Sequence, residues 1–189
     1  MNPQLMIQST PNPNALKFVL NMPMKTAGNW TYKSARECAD NPLAAAVFAL
    51  DPHVREVYFF DNYITVTQDG DVDWDALEGK IRAAILAGID THDPGFRTPE
   101  PQFKPQAASA QSPEMAQISA ILDQTVRPAL QMDGGDIELI DYKDNVLRVF
   151  YQGACGSCPS ATMGTLKAIE NILKDQFNPD MVVELADVF

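Results

Sequence analysis

PGFRTPEPQFKPQAASAQSP, residues 94–113, is the stretch that divides this chain. It holds five of the 14 prolines, no Ile, Leu or Val, and no hydrophobic period, so it offers neither a strand nor an amphipathic helix to a core. It reads as an interdomain linker, extended and semi-stiff in its proline half and looser where Ala, Ser and Gln take over. Apolar residues return at regular spacing on both sides of it. The expected fold class is therefore α+β: two small α/β domains, residues 1–93 and 114–189, joined by the proline-rich linker 94–113.

Before the linker, alternating apolar residues predict strands at Leu5 to Ser9, Ala15 to Asn21, Val54 to Phe60 and Tyr63 to Gln68. Asn41-Pro42 pairs a capping residue with a first-turn proline and opens the helix PLAAAVFAL. Asp73 caps a second helix, which Gly88 should stop, with Trp74, Leu77, Ile81, Ile85 and Ile89 on one buried face. The segment TPNPN, Thr10 to Asn14, reads as a proline-set turn into a strand, or else as an edge for recognising a partner. After the linker, Pro113 opens a helix that Pro128 bends or ends. Strands follow at Asp136 to Tyr142 and Val146 to Gln152, joined by a turn at Lys143-Asp144-Asn145. A helix from Pro159 to about Phe177 and a strand from Met181 to Leu185 complete an α-β-β-α-β order.

Fourteen Lys plus Arg against 25 Asp plus Glu give a formal charge of -11, which leaves no basic footprint for a phosphate backbone. Nucleic acid is not an expected partner. The longest apolar run, Leu43 to Leu50, is too short to span a bilayer, and no signal-like start is present, so no membrane partner is expected either. Three cysteines make no disulfide framework and point to a reducing compartment, read as cytoplasmic. The sequon Asn29-Trp30-Thr31 is then a chance match.

The chemistry concentrates in GACGSCPS, Gly153 to Ser160. Cys155 and Cys158 sit where a strand gives way to a helix whose first residue is Pro159. Free amide N–H groups and the positive end of the helix dipole favour thiolate there, the form that ligates metals or attacks disulfides. Four readings compete: a redox dithiol, half of a zinc site, half of an iron–sulfur site, or two buried thiols. A thiol–disulfide oxidoreductase also favours such a loop, although here a helix and a hairpin precede the motif and no aromatic residue flanks it. The small polar loop gives buried thiols little to pack against. Metal sites of thiolates want about four ligands, and this domain supplies two. His53 and His92 lie across the linker and read as surface residues, and Cys38 has no spaced partner. A two-fold axis through the site, with a second copy giving the other pair, would complete four ligands.

RPALQMDGGDIELI (Arg127 to Ile140) followed by GACGSCPSATMGTLKAIE (Gly153 to Glu170) resembles the C-terminal NifU-like domain of Nfu-type iron–sulfur proteins. TPNPNALKFVLN (Thr10 to Asn21), NPLAAAVFAL (Asn41 to Leu50) and YITVTQ (Tyr63 to Gln68) resemble the Nfu N-terminal domain. The resemblance implies a scaffold and carrier, not an enzyme. It holds a [4Fe-4S] cluster across a homodimer through Cys155 and Cys158 of each chain, receives it from an upstream donor and passes it to apo-proteins. With no mitochondrial targeting segment in view, the expectation is a bacterial, cytoplasmic protein over a processed mitochondrial matrix form. Asp133-Gly134-Gly135-Asp136 matches the family as well, and reads as a tight turn into the first strand of its domain.

Overall fold

The computed structural model describes residues 2–96, 112–156 and 159–186. The chain falls into two compact units, Met1–Pro99 and Glu100–Phe189. The α+β expectation holds in both.

The first unit is a five-stranded antiparallel sheet: β1 (Leu5–Ser9), β2 (Ala15–Leu20), β3 (Asn29–Tyr32), β4 (Val54–Phe60) and β5 (Tyr63–Gln68), in the order β1-β2-β5-β4-β3. Two helices, α1 (Pro42–Phe48) and α2 (Trp74–Gly88), start where their caps predict: the Asn41 side chain accepts from the Ala44 N–H and the Asp73 side chain from the Asp75 N–H. Strand alternation turns Leu16, Phe18, Leu20, Val57, Phe59, Ile64 and Val66 to one face, where Leu77, Ile81, Ile85 and Ile89 join them in the core. TPNPN is a turn between β1 and β2, tied by the Thr10 hydroxyl donating to the Asn12 and Ala15 carbonyls at 2.9 and 3.0 Å.

Three features of this unit differ from the sequence reading. Asn29–Tyr32 is an edge strand, paired with β4 and held to it by Tyr32, whose ring meets that of Phe59 edge to face. His92 is half-buried, not a surface residue: its Nε2 lies 2.8 Å from the Met24 carbonyl and its ring stacks on Phe59. Phe96, inside the proline-rich stretch, is 5% exposed and packs on Tyr32 and Phe59, while the Pro94 carbonyl accepts from the Thr26 N–H.

The second unit runs α3 (Pro113–Thr125), α4 (Arg127–Met132), β6 (Gly135–Lys143), β7 (Val146–Gly153), α5 (Pro159–Gln176) and β8 (Val182–Leu185). Pro128 sits in the first turn of α4, so the expected bend is a break at Val126 between two helices. β6 and β7 form an antiparallel hairpin through Asp144 and Asn145, both at positive φ, and β8 adds parallel to β7. Ile118, Leu122, Ile137, Val149, Ile169 and Leu173 form its core. Among the described residues no helix is long and apolar enough to cross a membrane.

Candidate metal centre

β7 ends at Gly153, whose φ of +63° turns the chain out of the sheet. Ala154 to Gly156 form a turn, closed by the Gly156 N–H donating to the Gly153 carbonyl at 3.0 Å, and α5 begins at Pro159. Cys155 lies on this turn, half-buried against the core of the unit. Cys158 lies outside the described residues.

The hairpin brings a second motif to the same place. Gly135, the first residue of β6, pairs directly with Gly153, and the Ala154 N–H donates to the Gly134 carbonyl at 3.2 Å. Gly134, at φ +83°, makes the expected turn into the strand. Gly135 does more than turn. A Cβ added to it would stand 2.5 Å from the Gln152 carbonyl oxygen, 2.7 Å from Cys155 Sγ and 3.0 Å from the Cys155 nitrogen. The thiol therefore rests on the bare Cα of a residue twenty positions earlier, and no side chain larger than hydrogen fits beneath it.

Asp136 anchors this bed. It is 2% exposed and accepts from Arg127 Nη1 at 3.1 Å, Gln131 Nε2 at 3.3 Å and the Ile137 N–H at 2.7 Å, which ties α4 to the start of β6. Arg127 also lies 2.8 Å from Asp123. On the same face of β6, Glu138 accepts from Gln152 Nε2 at 2.9 Å, and burial pushes its carboxyl above the ordinary range.

The other candidates divide cleanly. Cys38 is 3% exposed, its Sγ donates to the Ser34 carbonyl at 3.3 Å, and burial, with Glu37 and Asp40 nearby, pushes its thiol up to about 12. Such a thiol stays protonated and weakly nucleophilic at neutral pH. His53 is not isolated, as spacing alone implied. The pairing of β4 with β5 brings it to Asp69 and Asp71, all three ligand atoms lying within 4.8 Å of one another. Arg55 already pairs with Asp69, and His53 Nδ1 contacts the same carboxylate at 3.1 Å, so these groups satisfy one another. The cluster forms from residues sixteen apart, and only the strand register could have revealed it.

Two family models match the chain: "Scaffold protein Nfu/NifU N terminal" over residues 5–92 and "NifU-like domain" over residues 118–184. The chain belongs to the Nfu family. The mitochondrial NifU-like protein 4 of Arabidopsis thaliana is 35% identical over 170 residues, covering 88% of this chain and 60% of that protein. The mitochondrial NFU1 iron-sulfur cluster scaffold homolog of Homo sapiens is 32% identical over 169 residues, covering 88% and 65%. The Drosophila persimilis protein of the same name is 30% identical over 183 residues, covering 96% and 64%. This Nfu-family chain thus spans about three fifths of the length of the curated relatives it matches.

These relatives overturn the expectation of a bacterial, cytoplasmic protein, since each carries a mitochondrial name. The physical reason is that the two signals used do not discriminate. Free thiols persist in any reducing compartment, and the residue at which a chain starts does not report where it is housed. No support emerges for the thiol–disulfide oxidoreductase reading.

Proposed function

We propose that this protein is a non-enzymatic iron–sulfur scaffold and carrier, working in the mitochondrial setting of its relatives. Its cargo is a [4Fe-4S] cluster held between two copies, each giving Cys155 and Cys158, and surrendered to apo-proteins that offer their own thiolates. The observation that carries the reading is the bed of Cys155: a half-buried thiol on a strand-to-helix turn, seated on the bare Cα of Gly135. Glycines at 153 and 156 keep bulk away from it. The donor chemistry fits soft iron, since thiolates are the ordinary ligands of such clusters. Cys38 is withdrawn into the other unit's core, so a four-thiolate site needs a second CxxC. On this reading residues 114–189 carry the cluster, residues 1–93 select partners, and 94–113 joins them.

Anaerobic reconstitution with iron and sulfide tests it. The expected product is a brown dimer with about four irons per pair of chains, reverting to monomer on chelation because cargo and association are coupled. The cluster-free second unit, with five basic against twelve acidic residues over 114–189, repels its copy within about a Debye length of ~8 Å. Cys155→Ser or Cys158→Ser should abolish iron uptake, and Cys38→Ser should leave it intact. A full cluster on a sedimenting monomer, or iron lost equally in Cys38→Ser, sinks the shared site.

A further inference from the structure

The two most exposed large apolar side chains among the described residues lie on the elements that meet at the Cys155 turn. Met163 is 77% exposed and Met132 74%. Met132 closes α4, two residues before Gly134, whose carbonyl takes the Ala154 N–H. Met163 lies in the second turn of α5, the helix that begins four residues after Cys155. Neither joins the core of the unit. Beside Met163, Gly164 is an exposed glycine inside the helix, and a Cβ added to it meets nothing within 4 Å. The described packing of the unit gives no reason for glycine there, where alanine favours a helix. From Pro159 to Leu166 the start of α5 carries no charge. In a unit with five basic against twelve acidic residues over 114–189, a copy can come close there without meeting like charge.

We infer that Met132, Met163 and Gly164 form the contact between two copies of this chain when they share a cluster, and that the smallness of this contact makes pairing depend on the cargo. The inference rests on the reading of Cys155 as a ligand shared about a two-fold axis. An axis beside Cys155 brings the residues around its turn against their own counterparts. Methionine suits such a seam because its flexible thioether fits an irregular facing surface, and glycine lets a helix come close. Two methionines and a glycine cover well under the roughly 800 Å² that each partner gives a standing interface. Without a cluster the seam does not hold two acidic units together; with one, it shuts water and chelators away from the thiolates.

Gly164→Ala reads this with opposite signs in two states of the full chain. Metal-free, it should raise the thermal midpoint of the second unit by a few degrees. In the reconstituted dimer it should speed cluster loss to a chelator, followed by visible absorbance, because the added methyls enter the seam. Met132→Glu combined with Met163→Glu should speed that loss on the order of tenfold and shift anaerobic sedimentation toward monomer. Gly79→Ala and Met6→Glu, the same changes made in the first unit, should leave cluster loss at the parental rate. Parental rates in both Gly164→Ala and the double glutamate variant overturn the inference, as do parental rates accompanied by slowed transfer to an apo-protein, which would assign the patch to the client. A parent that takes up no cluster, or loads one as a monomer, overturns the shared-site reading and this inference with it.

Discussion

The two units treat their cysteines in opposite ways. Cys38 sits in a 3-10 helix of the first unit, 3% exposed, bonded to Ser34 and beside Glu37 and Asp40. Cys155 of the second unit lies half-buried on a turn, with a glycine Cα under its sulfur. Burial and acidic neighbours suppress the thiolate of the first, while a strand-to-helix turn holds the second half-buried at the margin of its core. Chemistry here follows from placement, since the side chain is the same.

The largest expected contrast is in alkylation. With its thiol pushed up to about 12, Cys38 holds on the order of a thousandfold less thiolate at neutral pH than an ordinary cysteine near 8.5. Iodoacetamide on native, metal-free protein should label the peptide bearing Cys155 and spare Cys38 until the first unit is unfolded. Equal labelling of the two in the native chain would break the comparison.

Ion pairs repeat the contrast. Asp136 and Arg127 have side chains 2% and 19% exposed, and Asp136→Ala strands the guanidinium, a change worth about 3–5 kcal/mol for buried pairs and less here because Asp123 remains. In the first unit Arg55 is 61% exposed in its pair with Asp69, so Asp69→Asn should scarcely move stability. Urea unfolding followed by NMR in the full chain separates the units. Tryptophan fluorescence reports the first alone, because Trp30 and Trp74 both lie in it.

Glycines sharpen the comparison further. Gly135→Ala forces a methyl into the Gln152 carbonyl and the Cys155 sulfur, and should cost about 1–3 kcal/mol along with iron uptake. Gly79, inside α2 of the first unit, has nothing within 4 Å of an added Cβ, and Gly79→Ala should raise stability by about 0.5–1 kcal/mol. A Gly135→Ala protein with parental stability and iron content would show that the thiol is not held where the fold places it.

Much of this was legible in the sequence because it is local. Asn41, Asp73 and Pro128 act within a few residues of themselves, and the alternation in β2, β4 and β5 reports a sheet with one face on a core. What stayed hidden depends on partners far along the chain. β3 is four residues with no alternation to detect, and it is held by pairing with β4 and by Tyr32, which meets the rings of Phe59 and Phe96. Phe96 was read with the prolines around it, yet it is fixed by Tyr32, Phe59 and Lys25. At the site, CxxC and DGGD were each visible as motifs. That one supports the other follows from hairpin register, which pairs Gly135 with Gly153.

The smallest expected effect concerns acid, and it also separates the units. His92 of the first unit has its pKa lowered, mainly by burial, so the folded state holds a neutral imidazole. Its contribution is present above about 6.5, the unfolded value, and is lost as pH falls through the lowered folded value. Glu170 of the second unit is held down to about 2 by hydrogen bonds from Lys167 and Lys174, both at 2.7 Å, and from the Val183 N–H, which tie α5 to β8. Its contribution is present above about 4.5 and is lost only as pH falls from there toward 2. Glu138 works in the opposite sense. Burial raises its folded pKa, so the second unit gains from it as acid is added and loses that gain as pH rises. Together these place the onset of acid weakening in the first unit, below pH 6.5, ahead of the second. Amide spectra of the full chain recorded from pH 7 to pH 3 should show first-unit signals broadening or moving first, and Glu170→Gln should flatten the second unit's response below pH 4.5 without touching the first. Loss of second-unit dispersion above pH 5, while the first unit stays intact, would reverse the order and assign the acid-sensitive contacts to the wrong unit.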